Sequence, residues 1–284
     1  MGIKISNFYE GESISLLTKH HKEKVIGPLF SKRLKADLIT IDSYDTDQLG
    51  TFTREISRQG SQIDAARRKA EIGMEIGRTK YGIGSEGSFV QDPYVGVIPV
   101  NYEIIIFIDS LRSIEVIGQA RGSSINNHAS VKNWPELAKF ARLNKFPKHQ
   151  LIIRPDHQDH PAFEKDITNL EQLKKAFNKA LRISEKKKVF VEHDLRAFAN
   201  PTRMKIIKEA AKDLLLKLKS VCSRCQTPGF SISRHEPGLP CAFCEMPSNQ
   251  TKAKIYTCLK CDYERKEYVK SNKADPGKCN FCNP

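Results

Sequence analysis

The sequence has no apolar run long enough to cross a bilayer. Its longest candidate, residues 104–108, is far shorter than the roughly 20 residues that a membrane helix needs. The N-terminus also lacks the basic-then-apolar layout of a secretory signal. We therefore expect a cytoplasmic protein without a membrane partner.

Cysteine is absent from the first 221 residues, and all eight cysteines lie in the last 63. Disulfides need an oxidising compartment, which the missing export signal argues against. The remaining composition, 39% hydrophobic and 28% charged, is ordinary for a globular protein. A length of 284 residues allows one large core with a small appendage, or two domains.

Acidic residues are in the minority. Lysine and arginine number 47 against 33 aspartates and glutamates, a formal net charge of +14. Such a balance favours anionic partners, whether nucleic acid, polyphosphates or acidic surfaces. A solvated lysine-rich surface has the same composition, so charge alone does not choose between them.

Segments with strand character alternate with segments of helical periodicity, which predicts an α/β layered core ending near Ser220. We predict strands at residues 13–17, 37–42, 81–84, 102–109, 113–120, 150–155 and 188–193. Helices are predicted at residues 62–77, 133–143, 170–182 and 201–219, the last capped by Asn200. We expect an α/β core domain at residues 1–219 and a separate domain at 220–284.

The cysteines form four C-x-x-C pairs, typical of zinc ligands. They are Cys222/Cys225, Cys241/Cys244, Cys258/Cys261 and Cys279/Cys282. The gaps between pairs are 15, 13 and 17 residues, and the first and last fit the template of a Cys₄ ribbon. We therefore predict two structural zinc ions, the first on pairs one and two and the second on pairs three and four. A cross-braced arrangement, first pair with third, is the alternative.

Lysines, arginines and aromatic residues are interleaved through the cysteine tail. This pattern is typical of proteins that grip a nucleic-acid strand by charge and stacking. Acidic neighbours dilute the field, so a ribbon that stabilises the protein or docks on a protein partner is an equal alternative.

A strand, a basic turn and a helix start follow one another near the N-terminus, in SISLLTKHHKEKVIG. A turn of this kind offers backbone N–H groups to an anion. The hydroxyl and ammonium groups that would bind phosphate belong to Thr18, Lys19, Lys22 and Lys24. A solvated turn with a basic helix face is the alternative.

Two carboxylates lie further along the chain on separate elements. Asp64 is in the first turn of a predicted helix that also carries Lys69, and Glu86 follows the next strand in GIGSEGSF. Two such carboxylates facing lysines across a cleft would hold magnesium against a polyphosphate. The stretch Ser61 to Asp64 also fits a capping box, in which Asp64 only satisfies the helix start.

The order of these pieces resembles the inosine/xanthosine triphosphate pyrophosphatase superfamily over about the first 120 residues. LLTKHHKEK resembles its phosphate loop, DAARRKA its E-N-A-x-x-K-A helix, and SEGS its acidic turn. Arg121, in GQAR, resembles an arginine supplied by one branch. The resemblance implies a mixed-sheet layered core with a nucleotide cleft. The chain departs from it by having His20 in place of the loop asparagine and Ala65 in place of the helix asparagine.

The whole chain resembles an uncharacterised bacterial domain-of-unknown-function family that pairs SEGSF and NPTRM segments with tandem C-x-x-C pairs. Here these segments are residues 85–89 and 200–204. Near the second, Glu192, His193, Asp194, Arg196 and Arg203 form a charged group that would either complete a site or brace a helix. The resemblance implies no activity.

Two functions follow. The first is a magnesium-dependent nucleotide pyrophosphohydrolase with Glu86 and Asp64 as catalytic residues. Its phosphate ligands would be Thr18, Lys19, Lys22, Lys24, Lys69 and Arg121. The second is a non-catalytic zinc protein that binds a nucleotide or another phosphorylated ligand, with a tail that docks on nucleic acid or protein.

Overall fold

A computed structural model describes residues 8–46, 60–91 and 99–283. The chain divides into two compact units. One comprises Asn7–Ser110 and Ile117–Leu214, and we call it the α/β unit; the other includes Leu111–Val116 and the chain from Leu215 onward. Within the described parts, no helix combines the length and apolarity needed to span a bilayer.

The first sheet has five strands in the order β2-β1-β3-β4-β5. Its strands are β1 (Ser13–Leu17), β2 (Asp37–Ile41), β3 (Tyr81–Gln91), β4 (Pro99–Asp109) and β5 (Ile114–Ser123). β1 pairs in parallel with both β2 and β3, whereas β3 pairs antiparallel with β4. The sheet is therefore mixed, and the predicted α/β class is confirmed.

Helices α1 (Glu23–Leu34) and α2 (Gln62–Gly77) connect these parallel strands. The chain passes from β1 through α1 to β2 on one side, and then through α2 to β3 on the other side of β1. Right-handed crossovers in opposite directions put the two helices on opposite faces of the sheet. The gap between β1 and β3 is therefore the topological switch point, where open α/β sheets form a crevice beyond the strand ends.

The second sheet has four strands in the order β6-β9-β7-β8. They are β6 (His128–Val131), β7 (Leu151–Pro155), β8 (Glu164–Ile167) and β9 (Val189–His193). Helices α3 (Trp134–Leu143) and α4 (Leu170–Ile183) share one apolar core with this sheet. The core forms because Leu137 and Ala141 of α3 meet Leu173 and Phe177 of α4 over the inward side chains of the strands.

Helix α5 (Pro201–Lys219) begins where the sequence predicts, and the Asn200 side chain accepts a hydrogen bond from the Arg203 amide at 3.1 Å. The tail then forms a three-stranded antiparallel sheet in the order β10-β11-β12. These strands are β10 (Ser231–Pro237), β11 (Thr251–Thr257) and β12 (Glu264–Tyr268). The sequence predicts none of these three strands, nor the four-residue strands β6 and β8.

Candidate functional site

The crevice at the switch point contains a buried lysine. β1 and β3 are paired only as far as Leu16 and Ile83, after which β3 continues alongside β4 alone. Lys22, which precedes α1, reaches across this opening. Its ammonium donates hydrogen bonds to the Ser85 carbonyl at 2.9 Å and to the Ser85 hydroxyl at 3.2 Å. The lysine thus occupies the edge of β3 that β1 leaves open, and only 4% of it is exposed.

Glu86 lies on the α2 side of the sheet. It stands opposite Ile104 in the β3–β4 register, and Ile104 packs against Ala66 of α2. Lys69 of the same helix forms an ion pair with Glu86, with 2.5 Å between Nζ and Oε2. Glu86 is 4% exposed, so this pair is largely removed from water.

The glycines around Glu86 allow the close approach of α2. A Cβ atom on Gly84 would lie 1.7 Å from the Ala66 carbonyl oxygen, which no side chain could tolerate. Helix and strand therefore approach closely enough for a short pair between Lys69 and Glu86. The glycine-rich sequence of GIGSEGSF thus reflects packing on both faces of β3.

A second carboxylate, Glu103, lies on the opposite face of the same sheet. It stands opposite Gly87, and side chains alternate along a strand, so it points away from α2. Glu103 is fully buried and accepts a bond from the Nε of Arg203 at 2.6 Å. A Cβ on Gly87 would lie 2.2 Å from Glu103 Oε1 and 2.6 Å from Arg203 Nη2. The SEGSF and NPTRM segments therefore meet at this ion pair.

The buried charges near this edge of the sheet shift one another's pKa values. Burial first, and then the positive charge of Arg203, lower the pKa of Lys22 to about 7. Burial and then Lys22 lower the pKa of His20 to about 3, with further contributions from Arg203, Lys69 and Arg196. We call Lys22, Lys69, Glu86, Glu103 and Arg203 the crevice cluster. It holds three cationic and two anionic groups.

The structure brings together three of the predicted site residues, Lys22, Lys69 and Glu86. Asp64 instead forms the capping box: its carboxylate accepts a hydrogen bond from the Ser61 amide at 3.0 Å, and the Asp64 amide donates to Ser61 Oγ at 3.2 Å. The Asp64 side chain is 57% exposed and pairs with Arg67.

The other predicted phosphate ligands lie around the turn or on the sheet. Lys19 pairs with Asp45 at 3.1 Å on the surface, and Lys24 is exposed. Thr18 is buried, and its hydroxyl accepts a bond from the His20 amide at 3.2 Å. Arg121 is exposed on β5, which β4 separates from β3.

Glu103 and the pairing of Arg203 with it were not predicted. The signal was present, since a glutamate inside the apolar stretch YEIIIFID must find a partner when the strand is buried. The other residues of the predicted charged group form separate contacts. Arg196 binds Asp194 and Asp166, and Arg154 pairs with Glu192 at 3.2 Å.

The tail contains two clusters of four cysteines, and the predicted pairing of neighbouring C-x-x-C pairs is wrong. Cys222, Cys225, Cys258 and Cys261 form the first cluster, and Cys241, Cys244, Cys279 and Cys282 the second. Each strand of the antiparallel sheet leads from one C-x-x-C pair to the next. Because consecutive strands reverse direction, the first and third pairs meet at one end, and the second and fourth at the other.

The two clusters fit a tetrahedral metal ion. Within each cluster the sulfurs all lie within 4.8 Å of one another. The closest separations are 3.5–3.8 Å in the first cluster and 3.7–3.8 Å in the second. A tetrahedron with metal–sulfur bonds of about 2.3 Å has sulfurs about 3.8 Å apart, whereas a disulfide needs about 2.05 Å. The separations are consistent with two zinc sites.

The C-x-x-C turns also surround cysteine sulfurs with hydrogen-bond donors. Amides of Arg224, Phe243 and Lys260 each donate to the preceding cysteine sulfur at 3.4 Å. A hydrogen bond with Thr227 lowers the pKa of Cys225 to about 6. In contrast, the neighbouring Cys244 sulfur raises the pKa of Cys282 to about 12. Four thiols at such distances ionise together only when a cation balances their charge.

Comparison with known proteins identifies a family. The family model described as "Domain of unknown function (DUF6671)" matches residues 69–284, which include Lys69, Glu86, Glu103, Arg203 and all eight cysteines. No curated protein and no solved structure matches the chain significantly.

Proposed function

The chain belongs to the DUF6671 family of domains of unknown function, and we propose that its α/β unit binds a phosphorylated ligand, with a nucleotide as first candidate. The site is the crevice between β1 and β3. The observation that carries this proposal is the buried ammonium of Lys22, held at the strand edge where β1 leaves β3.

The charge of the crevice cluster supports an anionic ligand. With Lys22 protonated, three cations face two carboxylates, which leaves one positive charge in excess. Burying an uncompensated charge is costly, and the lowered pKa of Lys22 expresses that cost. A bound phosphate would supply the missing negative charge and favour the protonated form of the Lys22 side chain.

The surroundings of the cluster favour phosphate over a simple carboxylate ligand. The starts of three helices contribute to it: Lys22 precedes α1, Gln62 of α2 donates to the Glu86 carbonyl at 2.9 Å, and Arg203 lies in the first turn of α5. Helix N-termini carry partial positive charge that stabilises phosphate groups. A polyphosphate would use several of these groups at once.

Hydrolysis of the ligand is a second candidate function, favoured by one observation. The Oε2 atom of Glu103 is buried and has no hydrogen-bond partner among the described residues. This atom offers a carboxylate oxygen, the kind of ligand that magnesium prefers, whereas Glu86 lies on the opposite face of the sheet. Such an ion would neutralise charge on a phosphoryl group during nucleotide pyrophosphate release. Asp64 has no part in this proposal, because its side chain serves the capping box.

In the tail we propose two zinc ions with a structural role. Four thiolates without an open coordination position are typical of structural rather than catalytic zinc. The tail has few buried apolar residues of its own, so metal binding would supply much of its folding energy. A protein or nucleic-acid partner for the tail stays a prediction.

Calorimetric titration of the zinc-loaded protein with nucleoside triphosphates and with pyrophosphate tests the binding proposal. We expect Lys22→Met to weaken binding about tenfold or more, since a charge-assisted hydrogen bond contributes about 1.5–3 kcal/mol. Lys19→Met is the matched control, because Lys19 pairs with Asp45 on the surface. It should change affinity less than twofold.

Binding that is absent in the wild type, or equal in Lys22→Met and the wild type, would refute the proposal. Pyrophosphate release is measured separately with magnesium or manganese. If hydrolysis occurs, Glu103→Gln should abolish it while binding persists. A protein that binds but never releases pyrophosphate is a nucleotide-binding module.

A further inference from the structure

Most of the excess positive charge of the chain lies in one region. Residues 1–127 contain 16 lysines and arginines and 16 aspartates and glutamates, a balance of zero. Residues 128–219 contain 21 against 11, an excess of ten. The tail, residues 220–284, contains ten against six, and two divalent ions on eight thiolates would bring it to zero. The attraction for polyanions therefore belongs to residues 128–219.

Much of that charge lies on helices α3 and α4 and the turn after α3. The two helices are neighbours in one layer, since they share the apolar core of the second sheet and the Trp134 ring lies 6.4 Å from Phe177. Six exposed cations of this layer, which we call the basic layer, are Lys139, Arg142, Lys145, Lys148, Lys174 and Arg182.

The basic layer retains its charge. Lys175 and Lys179 of α4 are neutralised by Glu171 and Glu164. In the part of the chain that the structure describes, no carboxylate forms an ion pair with any of the six cations of the basic layer. The one glutamate of α3, Glu136, accepts hydrogen bonds from Lys132 N and Asn133 Nδ2 at the helix start.

The layer has no exposed ring on which a base could stack. The large aromatic side chains that are exposed in the described residues, Phe243, Tyr268 and Phe281, all belong to the tail. Trp134 packs against Phe177, with Lys174 lying 5.7 Å over its ring. Single strands are usually held by stacking, whereas duplex backbones are bound by charge alone. We propose that the basic layer binds the phosphate backbone of double-stranded nucleic acid.

Fluorescence anisotropy of the zinc-loaded full chain with a labelled 24-base-pair duplex tests this. The test variant is Lys139→Gln with Lys148→Gln and Lys174→Gln. The matched control is Lys32→Gln with Lys80→Gln and Lys252→Gln, three exposed lysines outside the layer. We expect affinity at 100 mM salt to fall at least tenfold in the test variant and less than twofold in the control. The slope of log affinity against log salt should fall by about 0.9 for each lysine that contacts a phosphate.

Three results would overturn the proposal. The first is no binding of the duplex by the wild type at 50 mM salt, and the second is an equal loss in test and control variants. The third is a preference for the separated strand, or for vesicles containing phosphatidylserine, over the duplex. Circular dichroism of both variants shows whether they are folded. Because the crevice cluster is intact in both variants, their nucleotide affinity should equal that of the wild type, independent of their affinity for the duplex.

Discussion

The crevice cluster and the cysteine tail differ in where their ion pairs lie, buried in the first and exposed in the second. In the crevice, full charges are buried in pairs, Lys69 with Glu86 and Arg203 with Glu103. In the tail the ion pairs, such as Arg234 with Glu264, lie on the surface, and one thiol of each C-x-x-C pair is buried in a cluster that could hold a metal ion. From this difference we expect the α/β unit to be destabilised by removal of one partner of a buried pair, and the tail by removal of the ions proposed for it.

The largest effect is expected from pairs of cysteine substitutions that distinguish the two possible zinc arrangements. Cys225→Ser with Cys258→Ser damages one cluster, so one zinc per chain should remain. Cys225→Ser with Cys244→Ser damages both clusters, so both zinc ions and the fold of the tail should be lost. Elemental analysis of the purified variants gives the stoichiometry. Neighbouring pairs sharing a zinc would reverse the two results.

A large effect is also expected from Arg203→Met in the crevice. The substitution leaves Glu103 buried without its partner, which should cost about 3–5 kcal/mol of unfolding free energy. Urea denaturation measures the loss. In the control, Lys212→Met removes the exposed partner of Glu209 and should change stability by less than about 1 kcal/mol. Similar losses in both variants would contradict the buried pair.

A smaller effect is expected from Gly87→Ala. The added methyl group would collide with Glu103 and Arg203, which should cost about 1–3 kcal/mol of stability. Gly27→Ala is the control. The nearest atom to its Cβ, on Leu38, is 3.5 Å away, and the substitution lies inside α1. It should be neutral or stabilise by up to about 1 kcal/mol, and thermal unfolding compares the two.

The smallest effect is a pH dependence due to His20. Its pKa is lowered to about 3 in the folded protein, by burial and then by Lys22, from an ordinary value near 6.5. Between these values the unfolded chain binds the additional proton, so stability should fall as the pH drops from 6.5 toward 3. Urea midpoints at pH 4.5 and 7 should differ less in His20→Gln than in the wild type. An equal difference in both would exclude His20 as the cause.

The sequence predicted β1, β2, β4, β5 and α2 close to their observed positions, whereas β3 continues to Gln91, beyond the predicted end at residue 84. Lys22 precedes a helix as predicted, and the switch-point topology brings it to β3. Glu86 lies within β3 rather than after a strand, and Lys69 lies in the middle of α2. The partner of Glu103 could not be predicted from local sequence, because Arg203 lies 100 residues further along the chain. Local patterns contain no information on which faces of a sheet two distant helices cover.

The cysteine pairing was missed for a different reason. The spacing of 15 and 17 residues fits neighbouring pairs, but it does not specify the secondary structure that lies between the pairs. The stretches SISRHEP and TKAKIYT contain β-branched and aromatic residues in short runs, the signal of strands. Three antiparallel strands between four pairs would have indicated the alternation.

The interleaved order of the cysteines has a consequence for biosynthesis. The first cysteine cluster is complete only when Cys261 has left the ribosome, and the second only when Cys282 has. Removal of Cys282 alone would leave the second cluster with three thiols. In addition, the two clusters use alternate C-x-x-C pairs along the chain and lie at opposite ends of the three-stranded sheet. A tail that binds a single ion is therefore expected to be frayed at the end of the sheet that lacks the ion.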